Sequence, residues 1–211
     1  MIIIDIETTG MNFWENSILS IGALCFNNPK NQFYGECRVD KDDIITEDAL
    51  KINGFSKEEI TSEKKQTQKE LIKKFLEWLN KQENRILAGH NIGFFDLNFL
   101  KTKAKKYNLN IKTRYRSLDL CSVAQTRYFQ INGKFLLDDY KENGMSLPEV
   151  LKFCGIKDER IEIRDGKLIK QGKTHNALED CKLEAECFSR LLSGKGLFEE
   201  YNKFLIPNYL K

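Results

Sequence analysis

No stretch of this sequence is apolar for long enough to cross a bilayer, which takes roughly 18 uninterrupted residues. The opening apolar run is broken at Asp5 and has neither a basic n-region nor a small-residue cleavage site, so it reads as mature, cytoplasmic protein. The six cysteines (25, 37, 121, 154, 181 and 187) form no CxxC pair, and histidine occurs only twice. That scarcity argues against a structural zinc site and against a disulfide scaffold, leaving reduced thiols. Linkers, internal repeats and low-complexity blocks are lacking, so one domain over 1–211 is expected, with a core of 1–194 and a short tail of 195–211. Charge of one sign is also in short supply: the net value is +3, and no global basic field announces a polyanion.

What is present suits a soluble domain with a sizeable core: 211 residues, 41% hydrophobic and 31% charged. Charge is unevenly placed. The stretch KTKAKKYNLNIKTRYR (101–116) holds seven basic residues and no acid, with Tyr107 and Tyr115 between them. Such a composition fits a solvated helix face and also a surface that tracks phosphates.

Residues 1–8 read as a strand closed by Thr9-Gly10. A second strand spans 17–26, ended by the turn signal Asn27-Asn28-Pro29, and a third spans 32–40, so 1–40 is a meander. TEDALKING (46–54) has a Thr cap, early acids and a Gly stop, the marks of a short helix. TQKELIKKFLEWLNKQ (67–82) aligns Leu71, Ile72, Phe75, Leu76 and Leu79 on one amphipathic face. There follow a strand over 85–90, a helix from about 94 to 107, a strand turning helical over 116–124, a helix over 146–156 and a long helix over 176–194. Paired strands followed by alternating strands and helices predict an α/β chain with a mixed sheet covered by helices. Two stretches fall outside this plan. One is 129–144, with turn signals at Asn132-Gly133 and Asn143-Gly144; the other is RIEIRDGKLIK (160–170), a hairpin around Asp165-Gly166. The hairpin ends just before His175, so its tip is expected to reach over that residue.

The first ten residues, MIIIDIETTG, pose the functional question. Alternation along a strand puts Asp5 and Glu7 on one face. Adjacent anions repel, and burying either one unpaired is unfavourable. A polar edge in water explains them, and so does a divalent cation; the local pattern leaves both open. GHNIGFFDLNFL (89–100) places Asp96 in the first turn of a helix, where dipole capping is an equal explanation. KTHNALEDCKLEAE (173–186) places His175 at a helix entry and Asp180 on the second turn. A surface histidine and an exposed helix acid would look the same.

Jointly, Asp5, Glu7, Asp96, His175 and Asp180, in that order and context, resemble the DEDDh family of 3′→5′ exonucleases, which includes the proofreading subunits of bacterial replicative polymerases and ribonuclease T. DIETTG matches the family's first motif, HNIGFFDLNFL the second, HNALED the third, and SILSIGAL the usual second strand. The likeness runs from residue 1 to about 193. It implies a ribonuclease H-like fold, a mixed central sheet of five strands flanked by helices. It also implies two divalent metal ions, Mg²⁺ or Mn²⁺, and release of nucleoside 5′-monophosphates from single-stranded DNA or RNA 3′ ends, DNA being favoured. By the same resemblance Asp5 bridges the ions, Glu7 and Asp180 serve the nucleophile side, Asp96 serves the leaving-group side, and His175 is the general base. The backbone of Thr8 and Thr9 would lie at the terminal nucleotide, Met11 would act as a wedge, Asn91 would touch a phosphate, and Phe94 and Phe95 would stack on bases. The chemistry is coherent: hydrolysing a phosphodiester needs activated water and charge neutralisation, which paired cations supply, and an imidazole titrates near neutrality. His90 is read as structural, and Asp119 receives no role.

A non-catalytic module of the same fold, binding nucleic acid or a polymerase, is the alternative. It has no need of His175, and all five catalytic positions are filled. A small-molecule metal phosphoesterase lacks support from the aromatic and basic stretches. The tail LFEEYNKFLIPNYLK is not the long extension by which some proofreading subunits hold their polymerase, which implies a free-standing enzyme. Oligomeric state and the choice between DNA and RNA stay open.

Overall fold

The computed structural model describes residues 1–111, 116–164 and 167–211. A five-stranded sheet forms the middle layer, in the order β3-β2-β1-β4-β5. Its strands are β1 (Ile2–Thr8), β2 (Ile18–Cys25), β3 (Asn28–Glu36), β4 (Leu87–Gly89) and β5 (Leu118–Asp119). The first three form the expected antiparallel meander, and β4 and β5 join in parallel on the other side of β1. The sheet is therefore mixed, as predicted. β3 starts at Asn28, inside the stretch read as a turn, because its first residue already pairs with Cys25.

Alternation along β1 sends its side chains to two layers. Ile2, Ile4 and Ile6 pack with α3 (Gln68–Asn80) and α4 (Asp96–Lys106), while Ile3 packs with α5 (Leu120–Asn132), α6 (Leu147–Phe153) and α7 (Ala177–Ser193). The amphipathic face of α3 is buried as its spacing requires, and its start carries a full capping box between Thr67 and Glu70. Each large aliphatic or aromatic side chain on that face contributes about 1.5–3 kcal/mol by leaving water. Two short helices, α1 (Glu47–Asn53) and α2 (Lys57–Thr61), bridge β3 to α3; the second was not foreseen. Thr46 precedes α1 as expected, but its hydroxyl donates to the Thr9 carbonyl rather than capping the helix.

Of the two stretches outside the minimal plan, 129–144 begins as the end of α5, stopped at Gly133 in a left-handed turn. The other holds a two-stranded sheet of its own, β6 (Glu162–Arg164) and β7 (Lys167–Lys170). Its predicted turn, Asp165-Gly166, lies outside the described residues. The tail is not loose. The buried pair Glu186 and Arg190 on α7 accepts Leu197 and Phe198 N–H groups and donates to the Tyr201 carbonyl, and Leu210 is buried. Among the described residues no helix is long and apolar enough to cross a membrane.

Candidate active site

Asp5 and Glu7 share the face of Ile3, the one covered by α7. A helix can come that close because Gly22 stands opposite Asp5 on β2. A Cβ at Gly22 would lie 2.3 Å from the carbonyl carbon of Ala177, where α7 begins. Asn176 caps that helix, accepting the N–H groups of Leu178 and Glu179. The first turns of α7 thus press Asp180 onto the carboxylates of β1. Glu7, His175 and Asp180 present possible ligand atoms that all lie within 4.8 Å of one another.

His175 is fixed from both sides. Its backbone N–H donates to Ile52 of α1 at 2.9 Å. Nδ1 lies 3.3 Å from Asp180 Oδ2, and Nε2 lies 3.3 Å from the Ile161 carbonyl. Asp96 opens α4 and is buried; its Oδ1 accepts the backbone N–H of Ile6 at 3.1 Å, which ties it to β1 between the two N-terminal acids. The five predicted residues are therefore brought to one place.

A cavity lined by Asp5, Glu7, Thr8, Met11, Phe95, His175 and Asp180 opens above them, with α1 as its far wall. Other sequence-predicted contacts lie elsewhere. Thr9 is fully buried and does not line the cavity; its backbone N–H donates to Ser17, and its carbonyl accepts from the N–H and the hydroxyl of Thr46. Asn91 adopts a left-handed backbone (φ 54°), and its carbonyl accepts from Phe94 and Phe95, so it shapes the turn into α4. Phe94 is 74% exposed and does not line the cavity. The basic stretch is partly structural: Lys103 is buried against Asp43, and Lys106 and Tyr107 bind Asp40. Its residues 112–115, including Tyr115, lie outside the described residues. His90 is structural as expected, pairing with the Met145 carbonyl at 2.9 Å. Asp119 caps α5 through Ser122.

Sequence reasoning missed two charged residues. Glu184, one turn beyond Asp180 on α7, is 1% exposed, and its Oε2 has no hydrogen-bond partner among the described residues. Arg160 donates from Nη1 to Asp180 Oδ2 at 3.2 Å. Both line a second cavity that shares Asp5, His175 and Asp180 with the first. The base of the hairpin thus borders the site; its tip, expected to reach over His175, lies outside the described residues. Glu184 could have been read from its i+4 spacing to Asp180. Nothing in the sequence pointed to Arg160.

The electrostatics follow from crowding of like charge. Burial first, and then Asp180, Asp96, Glu7 and Glu184, push the Asp5 carboxyl well above the usual range. Burial and then Asp180 do the same to Glu7, against the pull of Arg160. Burial raises Asp96 to about 8, even though two backbone N–H groups favour its ionised form. Glu184 is raised by burial and then by Asp96 and Asp180. A site that gathers five carboxylates around one guanidinium and leaves a buried oxygen unpaired has the donor set of hard divalent cations, and the residues present fit such ions.

Comparison with known proteins gives the chain a family and a fold. The family described as exonuclease matches residues 2–188. DNA polymerase III subunit epsilon of Haemophilus influenzae is 32% identical over 206 residues, covering 94% of this chain and 70% of that protein. A PolC-type DNA polymerase III of Caldanaerobacter subterraneus is 28% identical over 191 residues; the match takes in 90% of this chain and only 11% of that much longer protein. In fold, the chain is similar to exonuclease I of E. coli in complex with a dT13 oligonucleotide (TM-score 0.67, 16% identity, 92% of this chain and 41% of that one). It is likewise similar to cell-death related nuclease 4 (TM-score 0.63, 15% identity, 92% and 64%).

Proposed function

Because this chain belongs to the exonuclease family, in its DEDDh 3′→5′ form, we propose that it is a cytoplasmic enzyme that shortens single-stranded nucleic acid from the 3′ end, releasing nucleoside 5′-monophosphates, with DNA preferred over RNA. The observation that carries the reading is the meeting of Glu7, His175 and Asp180 within 4.8 Å, with Asp5 on the same strand and Asp96 bound to the backbone between them. The whole of 1–211 is read as one exonuclease domain, which the packing of the tail on α7 supports.

Asp5, Glu7, Asp96 and Asp180 would hold two divalent cations, Mg²⁺ or Mn²⁺. With Glu184 and Arg160 included, the site carries a formal charge of minus four, which two such ions balance. Bound cations supply activated water and neutralise the phosphoryl group. The chain's own groups do the rest. A neutral His175 ring has one N–H, so it can donate to Asp180 or to Ile161 but not to both. The nitrogen left without a proton is the one that takes a proton from water. As that proton leaves, the water oxygen bonds to phosphorus and the bond to the 3′ oxygen breaks; the departing 3′ oxygen is then protonated by solvent. Met11 and Phe95 flank the opening where a terminal base would lie.

A 5′-labelled oligonucleotide incubated with Mn²⁺ should shorten stepwise, and EDTA should stop it. Retention without shortening would favour a binding module, and indifference to the oligonucleotide would end the nuclease reading. Competition between matched DNA and RNA strands reads the sugar preference. The similarity to epsilon subunits makes a DNA polymerase the partner to test first.

A further inference from the structure

Arg160 reaches the site from outside the five-residue pattern. It stands between α6 and β6, in the stretch read as an insertion, and is 6% exposed. Its Nε and Nη2 donate to the two oxygens of Asp158, each at 3.1 Å, and its backbone N–H donates to the same carboxylate at 2.9 Å. The Asp158 carbonyl accepts from Lys170 of β7 at 2.8 Å. Gly172 packs so tightly on Arg160 that a Cβ there would lie 2.4 Å from the arginine carbonyl carbon. The hairpin base is therefore a rigid mount for one guanidinium.

Asp158 alone already pairs two edges of that fork. The third edge points onward, with Nη1 3.2 Å from the same Asp180 oxygen that faces His175 Nδ1. Guanidinium stays charged at any working pH and offers five N–H groups in one plane, of which these bonds engage three. Such a plane matches the paired oxygens of a phosphate. A cation fixed beside the general base, on the wall of the cavity that holds Asp5 and Asp180, is placed where a reacting phosphoryl group would develop charge.

We propose that Arg160 is a phosphate-binding residue of the reaction. Once divalent cations engage Asp180, Nη1 passes from Asp180 Oδ2 to a non-bridging oxygen of the scissile phosphate, and Asp158 keeps the fork aimed. This rests on the exonuclease reading above. The hairpin insertion is then part of the reacting machinery.

The test compares wild type with Arg160→Gln, Arg160→Lys and Asp158→Asn. Turnover is measured on a 5′-labelled single strand with Mn²⁺. Calorimetry follows the uptake of Mn²⁺, and then of thymidine 5′-monophosphate by the Mn²⁺-loaded protein. In Arg160→Gln, kcat should fall about a hundredfold, as when one preorganised donor to a developing charge is removed. Monophosphate affinity should weaken at least about tenfold, the loss of one charged hydrogen bond. Mn²⁺ affinity should hold or tighten, since a competing cation has left Asp180. Arg160→Lys should recover part of both losses, and Asp158→Asn should fall in the same direction. The reverse pattern, weaker Mn²⁺ uptake with unchanged monophosphate affinity, means that Arg160 only braces Asp180 and overturns the proposal. If Arg160→Gln does not fold, Arg160→Lys decides: turnover and monophosphate affinity equal to wild type refute the role, and reduced values sustain it. A wild type that shortens no oligonucleotide refutes the exonuclease reading itself, whereas cutting that the arginine variants match refutes only this inference.

Discussion

Glu184 accepts the backbone N–H of His90 and buries its other oxygen against Gly89 without a donor. At alkaline pH, folding must either bury that charge or take up a proton to remove it, and both oppose folding. Changing it to glutamine keeps the shape and the acceptor while removing the charge. In EDTA at about pH 8, Glu184→Gln should therefore be more stable than wild type, by about 1–3 kcal/mol if the whole penalty of an unsatisfied buried group is relieved. Urea unfolding measures this; a variant less stable than wild type would mean that the acid has a partner among the groups of the site. His175 differs because it is one-quarter exposed and poised on two acceptors. Replacing it with alanine should lower kcat by about two decades, the scale of a lost general base, while Mn²⁺ uptake by calorimetry stays close to wild type. Full turnover in His175→Ala would remove it from the mechanism.

At the scale of elements, the site depends on how closely one helix approaches one sheet. Gly22 permits that approach, and an alanine there would place a methyl group against the backbone of Ala177 and Leu178, which cannot swing aside as a side chain can. Overpacking of this kind costs about 1–3 kcal/mol. Since α7 carries Asp180 and its entry carries His175, Gly22→Ala should also lose turnover in conditions where the protein remains folded. Circular dichroism and kinetics on one sample separate the two effects, and wild-type turnover in a folded, destabilised variant would show that the helix position is not critical. The element on the opposite wall, α1, has a comparable part: it supplies the carbonyl that receives the His175 N–H, and Asn53 donates to the Thr8 carbonyl at 3.1 Å.

For the whole molecule, the shared charge predicts an unusual pH response. Asp5, Glu7, Asp96 and Glu184 all have carboxyls raised in the folded state, Asp96 to about 8, with burial as the first cause in each. A raised carboxyl means that folding favours the protonated form. Its stabilising contribution is complete below the unfolded value near 4 and fades as pH climbs through the folded one. Asp43 and Asp158, lowered by their lysine and arginine partners against the opposing effect of burial, act in the other direction near and below pH 4, and His90, lowered chiefly by burial, opposes the four carboxyls up to about pH 6.5 without outweighing them. Between about pH 5 and 8.5, then, the metal-free protein should melt at progressively lower temperature. If the ionised carboxylates hold Mn²⁺ as proposed above, its stabilising effect should grow over the same range. Calorimetric melts in EDTA and in Mn²⁺ test both parts, and a metal-free Tm that rises with pH would contradict the crowded-carboxylate account.

The sequence by itself determined the order of strands and helices, because those signals are local; it pointed to five site residues only through their joint resemblance to a family, since each local pattern left a structural reading open. Alternation in MIIIDIET, the spacing of Leu71, Phe75 and Leu79, and the run from His175 to Asp180 are all short-range patterns that the backbone must obey. It also announced the hairpin near 160–170. Only the tertiary structure decided that Arg160 and Glu184 lie beside the five, that Thr9 and Asn91 do not line the cavity, and that Lys103 is tied to Asp43. Those outcomes turn on which surfaces of distant segments come together. An arginine twenty residues from its aspartate has no periodicity to betray it, and a lysine on a basic helix looks solvated until an acid sixty residues away is folded against it.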